Sequence, residues 1–198
     1  WRCASSIAAR EATCARVQAQ TGAVLVHPYA DAAVMAGQGT AALELLRAAG
    51  PFDALVVPVG GGGLASGTAL AAHALAPDCA VVLAEPAGAA DAARSLAAGE
   101  LRVDFVPDTI CDGLRGTLGQ PDFEVLRALG AEVAVVDDAA TVAAMRLLWQ
   151  VLKQTVEPSS ATVLAAVLAQ PARFAGKRVG VVLSGGNVDI DALPWSRA

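Results

Sequence analysis

With 198 residues, 55% of them hydrophobic, and a net charge of -5, the chain is long enough for one domain with a real core, or for one domain plus part of another. Charged residues are only 17% of the sequence, and no run of lysine or arginine could follow a phosphate backbone, which argues against nucleic acid as a partner. No apolar run approaches the roughly 18 residues of a membrane span, and "WRCASSIAAREATCARV" lacks a signal peptide's apolar core, so the expectation is a cytoplasmic enzyme without a membrane partner.

In chain order, Arg10 to Gln20 suits a helix, and "GAVLVHP" then reads as a strand stopped by Pro28. The helix "GQGTAALELLRAAG" follows, closed by Gly50. "DALVVPVG" has the continuous apolar character of a strand buried on both faces, which points to a parallel sheet. Four glycines come next, then a helix from Leu64 to Ala76 ended by Pro77. "AVVLAEP" is a strand, Ala89 to Ala98 a helix, and "AEVAVVD" a strand. A long helix over Ala139 to Lys153 begins after the capping candidates Asp137 and Asp138. "SSATVLAAVLAQ" is a helix capped by Ser159 or Ser160, and "KRVGVVLSGGN" is a strand running into a second glycine turn. This alternation predicts a doubly wound α/β fold with a mainly parallel sheet, whose ligands sit outside the carboxyl ends of the strands.

Both glycine turns fall at such ends. Glycine loses the most conformational freedom on folding, so Gly60, Gly61, Gly62 and Gly63 in succession need a use. Their amides, with the dipole of the following helix, can hold a phosphate that no side chain crowds. A tight structural turn is the rival explanation. "GGGGLASG" is not a P-loop, because GK[ST] is missing, and it is a loose relative of GxGxxG, whose acidic partner would fall near Glu85. In the second turn, Ser184 either caps the turn or faces the same ligand. Cys3, Cys14, Cys79 and Cys111 lie far apart with no CxxC pair, so they suggest free thiols in a reducing compartment rather than zinc. His27 and His73 stand alone.

The strings "HPYADAAVMAGQGTAALELL", "DALVVPVGGGGLASG", "AEPAGAAD", "TICDGLRGTLG", "VEPSSATVLAAVL" and "VGVVLSGGNVDI" run in the order found in pyridoxal-phosphate enzymes of fold type II. From about Arg10 to Asp189, the chain most resembles the serine racemase and serine/threonine dehydratase family. The resemblance implies that backbone amides of Gly60, Gly61, Gly62, Gly63 and Leu64 wrap the pyridoxal 5'-phosphate tail, and that Ser184 lies near the pyridine nitrogen. It implies a divalent cation, Mg, Mn or Ca, held by Glu85, the Ala89 carbonyl and Asp91; hard oxygen ligands suit such ions. Two helix-start carboxylates stabilised by the dipole alone are the plainer alternative. Arg10 matches an arginine that meets the substrate carboxylate, and Glu157 matches a glutamate near the ring. Gly116 stands where racemase-like members can present serine, which favours elimination over racemisation.

The family's Schiff-base lysine normally lies in an early SxKxRGA-type string, and none occurs here. Lys153 and Lys177 are the only lysines, and neither sits in such a motif. The expectation is therefore the later part of a longer enzyme: residues 1–30 the end of a small domain, and residues 31–198 an incomplete large cofactor-binding domain. The complete enzyme would convert a β-hydroxy amino acid of the serine or threonine type to a 2-oxo acid and ammonia, with serine racemisation as an accompanying activity and a homodimer as its assembly. This chain alone would lack the lysine and be inactive, with uncovered apolar surface that favours association. A non-catalytic phosphate- or nucleotide-binding module is the competing reading, and a nicotinamide enzyme a third.

Overall fold

In the computed structural model, residues 1–4 and 6–195 are described. The end of the expected 31–198 domain, residues 196–198, lies outside them. Eight α-helices are described in chain order: α1 Ile7–Thr21, α2 Ala32–Ala49, α3 Gly63–Leu75, α4 Asp91–Ala98, α5 Gln120–Ala128, α6 Asp138–Leu152, α7 Pro158–Ala169 and α8 Pro171–Phe174. The strands are β1 Ala54–Pro58, β2 Ala80–Pro86, β3 Glu132–Val136 and β4 Val179–Val181. They form one sheet in the order β3-β2-β1-β4 with every pair parallel; Val56 registers with Val82 on one side and Val181 on the other.

All of β1 is buried because the sheet is covered on both faces. Ala54 and Val56 point into a core shared with Ala144 of α6 and Val163, Ala165 and Ala166 of α7. Val57 points the other way, onto Ala65 and Ala69 of α3 and Phe123 and Leu126 of α5, while Leu55 meets Ala42 and Leu46 of α2. The chain leaves β1 for β2 across one face and reaches β4, on the opposite side of β1, across the other. The strand order thus reverses beside β1, and the crevice at such a point lies between the carboxyl ends of β1 and β4. The doubly wound α/β expectation holds.

Helix α2 crosses α3 where glycine faces glycine. A Cβ on Gly39 would stand 2.7 Å from the Gly67 carbonyl oxygen, and one on Gly67 would collide with the Met35 carbonyl oxygen. These backbones approach only because neither residue has a side chain.

Several local expectations change. "GAVLVHP" forms no strand: among the described residues no neighbour pairs with it, and Val24 and Val26 remain 87% and 70% exposed. Helix α2 starts at Ala32, earlier than Gly37, because the Asp31 carboxylate accepts from the amides of Ala33 and Val34. Helix α4 starts at Asp91, after a short 3-10 turn over Ala87–Ala89. Helix α5, unanticipated, starts after Gly119 with Pro121 in its first turn. Neither Ser159 nor Ser160 caps α7. Glu157 is the cap position, and both serines lie buried within the first turn of the helix.

Candidate phosphate and cofactor site

The tetraglycine leaves the end of β1 and enters α3, and Gly62 (φ 105°) is the left-handed residue that makes the turn. Gly62 has no side chain to cap the helix, so the first amides of α3 lack intrahelical acceptors. Among the described residues, none of the amides of Gly60, Gly61, Gly62, Gly63 or Leu64 donates to a protein acceptor. Gly60, Gly62 and Gly63 are nevertheless buried. Unpaired buried amides are costly, and a helix N-terminus with free amides is an anion site. Five such amides on one turn match the acceptor oxygens of an anion in number and direction of need.

Neighbouring loops hold this cup closely. A Cβ on Gly60 would lie 3.0 Å from Leu114 Cα, one on Gly61 would enter the Tyr29 ring, and one on Gly62 would lie 2.5 Å from Asp122 Cβ. The Gly61 carbonyl oxygen accepts from the Gly119 amide at 2.9 Å. Tyr29 is fixed by the turn before it, where His27 Nδ1 accepts from the amides of Tyr29 and Ala30 and the two rings meet edge to face at 4.6 Å. That contact leaves Nδ1 as the acceptor nitrogen of His27. Burial raises the Tyr29 phenol above its usual pKa, opposed by the nearby Arg10 guanidinium and by the Thr117 side chain.

The second glycine turn lies on the same sheet edge. Val182 donates to the Val56 carbonyl, continuing the β4–β1 pairing, and Ser184 follows, exposed. Glu157 fixes this turn with both main chain and side chain: its amide donates to the Gly185 carbonyl, and its Oε2 accepts from the Asn187 amide at 2.7 Å. Ser159, the second residue of α7, accepts from the Gly113 amide at 3.0 Å. A continuous set of contacts thus runs from the tetraglycine through residues 113–119 to the start of α7 and the turn after Ser184. Gly116 borders the cup, with the Gly61 amide 4.0 Å from where its Cβ would stand.

Glu85 and Asp91 are both fully buried. The Glu85 oxygens accept from the Ala92 and Ala93 amides at 2.7 and 2.9 Å, capping α4 from the end of β2. Asp91 Oδ2 accepts from the Leu118 amide at 2.7 Å, and Oδ1 has no partner. Burial is the main reason that Glu85 is pushed up to about 8 and Asp91 to about 6. Among the described residues no group of three or more His, Cys, Asp or Glu converges on a metal position. The donor set fits a hard cation only through the unpaired Asp91 Oδ1 and the spare lone pairs of Glu85, beside buried Ala89.

Neither lysine is at the cup. Lys153 ends α6, its Nζ donating to the Gln150 carbonyl, and Lys177 precedes β4, at the sheet edge opposite the glycines. Arg10 is exposed on α1.

A family model described as pyridoxal-phosphate dependent enzyme matches residues 1–185. The chain belongs to that family. It is 48% identical over 194 residues to the beta-hydroxyaspartate dehydratase of Paracoccus denitrificans (strain Pd 1222), covering 98% of this chain and 62% of that protein. The structure of maize serine racemase superposes with a TM-score of 0.92 at 45% identity, covering 98% of this chain and 62% of that one. The threonine deaminase of T.th. gives 0.88 at 43% identity, over 94% and 62%. The chain therefore spans about six tenths of the length of these members of the family (62% of each). Their fold type II architecture is the one expected from the glycine motifs.

Residues that sequence reasoning missed in this family site are Tyr29, Asp122 and Ser159. Only Asp122 carried a signal: Gly-x-Pro-Asp is the pattern of a helix start with an acid in the first turn.

Proposed function

We propose that this chain supplies the phosphate-holding and ring-holding part of an enzyme that dehydrates and deaminates a β-hydroxy amino acid to a 2-oxo acid and ammonia. One observation carries the reading: the five amides from Gly60 to Leu64, largely buried and without protein acceptors among the described residues, at the crevice between β1 and β4. The substrate class rests on the relatives, a beta-hydroxyaspartate dehydratase, a serine racemase and a threonine deaminase.

Bound pyridoxal phosphate would supply an electron sink for charge developing at the substrate Cα. The glycine amides would hold its phosphate. Ser184 would offer its hydroxyl proton to the ring nitrogen, favouring a neutral ring over the protonated one that a carboxylate would support. Glu157 would hold the turn that presents Ser184, and Arg10 would attract the substrate carboxylate. Elimination is favoured over racemisation, because Gly116 offers no hydroxyl beside the cup where a second proton donor would be needed. Glu85, Asp91 and the Ala89 carbonyl would hold Mg, Mn or Ca. The activity belongs to a longer, dimeric parent protein that brings its own lysine, and this chain alone is inactive. Four free thiols support a reducing, cytoplasmic setting.

The test supplies the full-length parent protein with serine, threonine and 3-hydroxyaspartate and measures 2-oxo acid and D-serine. Oxo acid in excess of D-serine is expected; no product from any of the three would overturn the substrate class. The placement of Lys153 and Lys177 favours a second reading, a non-catalytic phosphate-binding module. Borohydride reduction in the presence of pyridoxal phosphate separates the two, since covalent trapping by the parent protein requires a lysine at the site.

A further inference from the structure

Behind the glycine cup sits a carboxyl group that the proposed reaction does not use. Asp122, in the first turn of α5, is fully buried. Its Cβ lies 2.5 Å from where a Gly62 Cβ would stand, and its Oδ2 fills the space a Cβ would take on Gly119, the residue whose amide holds the Gly61 carbonyl. Asp122 is thus wedged between the two glycines that fix the shape of the cup.

Its polar surroundings fit a neutral acid better than a carboxylate. Oδ2 has no partner. The Ser66 hydroxyl lies 3.3 Å from Oδ1 and 3.4 Å from the Asp122 carbonyl oxygen, and its single proton serves only one of them. With the carboxyl protonated, both contacts are made: the acid donates to the Ser66 oxygen and the hydroxyl donates to the carbonyl. With the carboxyl ionised, its only donors are the Ser66 hydroxyl, at long range, and its own amide at the start of α5, and Oδ2 stays without a partner beside a site built for an anion.

The ionisable groups around it do not rescue the charge. From the 27–31 segment comes the Tyr29 phenol, itself raised by burial; α1 brings Arg10 and Glu11 close to that phenol rather than to Asp122. Helix α3 contributes Ser66 and no charged side chain in its first two turns, and Glu124 and Arg127 on α5 face outward, exposed. The residues 113–119 that close the cup carry only Arg115, which is turned to the Thr109 carbonyl.

We propose that Asp122 is a positioning residue for the phosphate cup, holding the tetraglycine from behind in its neutral form, so that its ionisation weakens phosphate binding. Burial pushing this acid up to about 7 agrees with that assignment. The proposal rests on the cup binding phosphate, and its test separates the two claims. Inorganic phosphate and pyridoxine 5'-phosphate are titrated into the wild-type chain and Asp122→Asn from pH 5.5 to 8.5. Comparing the variants at each pH cancels the titration of the ligand itself. Equal affinities at pH 5.5 and about tenfold tighter binding by Asp122→Asn at pH 8.5 are expected, from a unit charge removed within a few residues of the phosphate. A ratio independent of pH overturns the role of Asp122 alone, whereas no binding by either protein at any pH overturns the cup and the role together. Carboxyl NMR of the wild-type chain needs no variant. Saturating phosphate should raise the Asp122 midpoint by the same factor that ionisation weakens binding, and an unmoved midpoint contradicts the proposal.

Discussion

The amide of Gly119 donates to the carbonyl of Gly61 at 2.9 Å, tying the start of α5 to the centre of the tetraglycine. The cup is therefore a rigid junction between β1, α3 and α5. Gly62→Ala places a Cβ 2.5 Å from Asp122 Cβ on a residue with φ 105°. It should cost about 2–4 kcal/mol in denaturant unfolding and abolish phosphate binding.

Gly116→Ser is the contrasting case. Its Cβ meets nothing closer than the Gly61 amide at 4.0 Å, so stability should change by no more than about 0.5 kcal/mol. If the absent hydroxyl limits racemisation, this variant of the parent enzyme should release more D-serine per 2-oxo acid than the wild type. Chiral chromatography of the products measures the ratio.

Gly67→Ala tests how the site is carried by the fold, because Gly67 lies within α3 where α2 crosses it. The new methyl group collides with the Met35 carbonyl, which no side-chain rotation relieves. A loss of about 2–4 kcal/mol is expected, with calorimetry as the measurement and Ala69, on the same helix but packed toward β1, as the reference position for Ala69→Gly.

Asp122 also predicts a pH dependence of stability. Its folded pKa, about 7, lies above the unfolded value of 3.8, so between these values the unfolded chain has lost a proton that the folded chain keeps. This contribution is fully present below pH 4 and is lost as pH rises through 7. Relative to Asp122→Asn, the wild type should lose on the order of 4 kcal/mol between pH 4 and 8. Unfolding of both proteins across that range reads the difference directly.

The parallel sheet was legible because β1 and β2 are apolar on both faces, which only a doubly covered sheet requires. The tetraglycine was legible because four glycines have no cheaper explanation than a backbone that meets an anion. The failure at "GAVLVHP" has the converse cause: its β-branched alternation says that it can pair, but pairing is a property of a neighbour. Helix α5 was hidden because Gly119 and Pro121 punctuate like a loop, although proline is also at home in a first turn. Tyr29 carried no signal, and the helix-start pattern at Asp122 said nothing of the cup, because both roles arise from contacts across the chain; Ser66 and Asp122 are 56 residues apart. Ser159 was read as a cap, yet it reaches Gly113 in another loop.

For the acidic pair, addition of Ca or Mg should raise the melting temperature of the chain, by about 2.7 kcal/mol of stabilisation at a hundredfold excess over Kd. Asp91→Asn should remove that response, since Asp91 Oδ1 is the buried carboxylate oxygen without a partner. An unchanged melting curve at millimolar cation assigns Glu85 to helix capping alone.

The Gly60–Leu64 amides are proposed to hold the cofactor phosphate. Amide NMR of the chain during titration with pyridoxine 5'-phosphate, with unphosphorylated pyridoxine as control, tests this most directly. Saturable downfield shifts are expected at these five amides with the phosphorylated ligand, and none with pyridoxine. Shifts located elsewhere, or equal shifts from both ligands, would contradict this role.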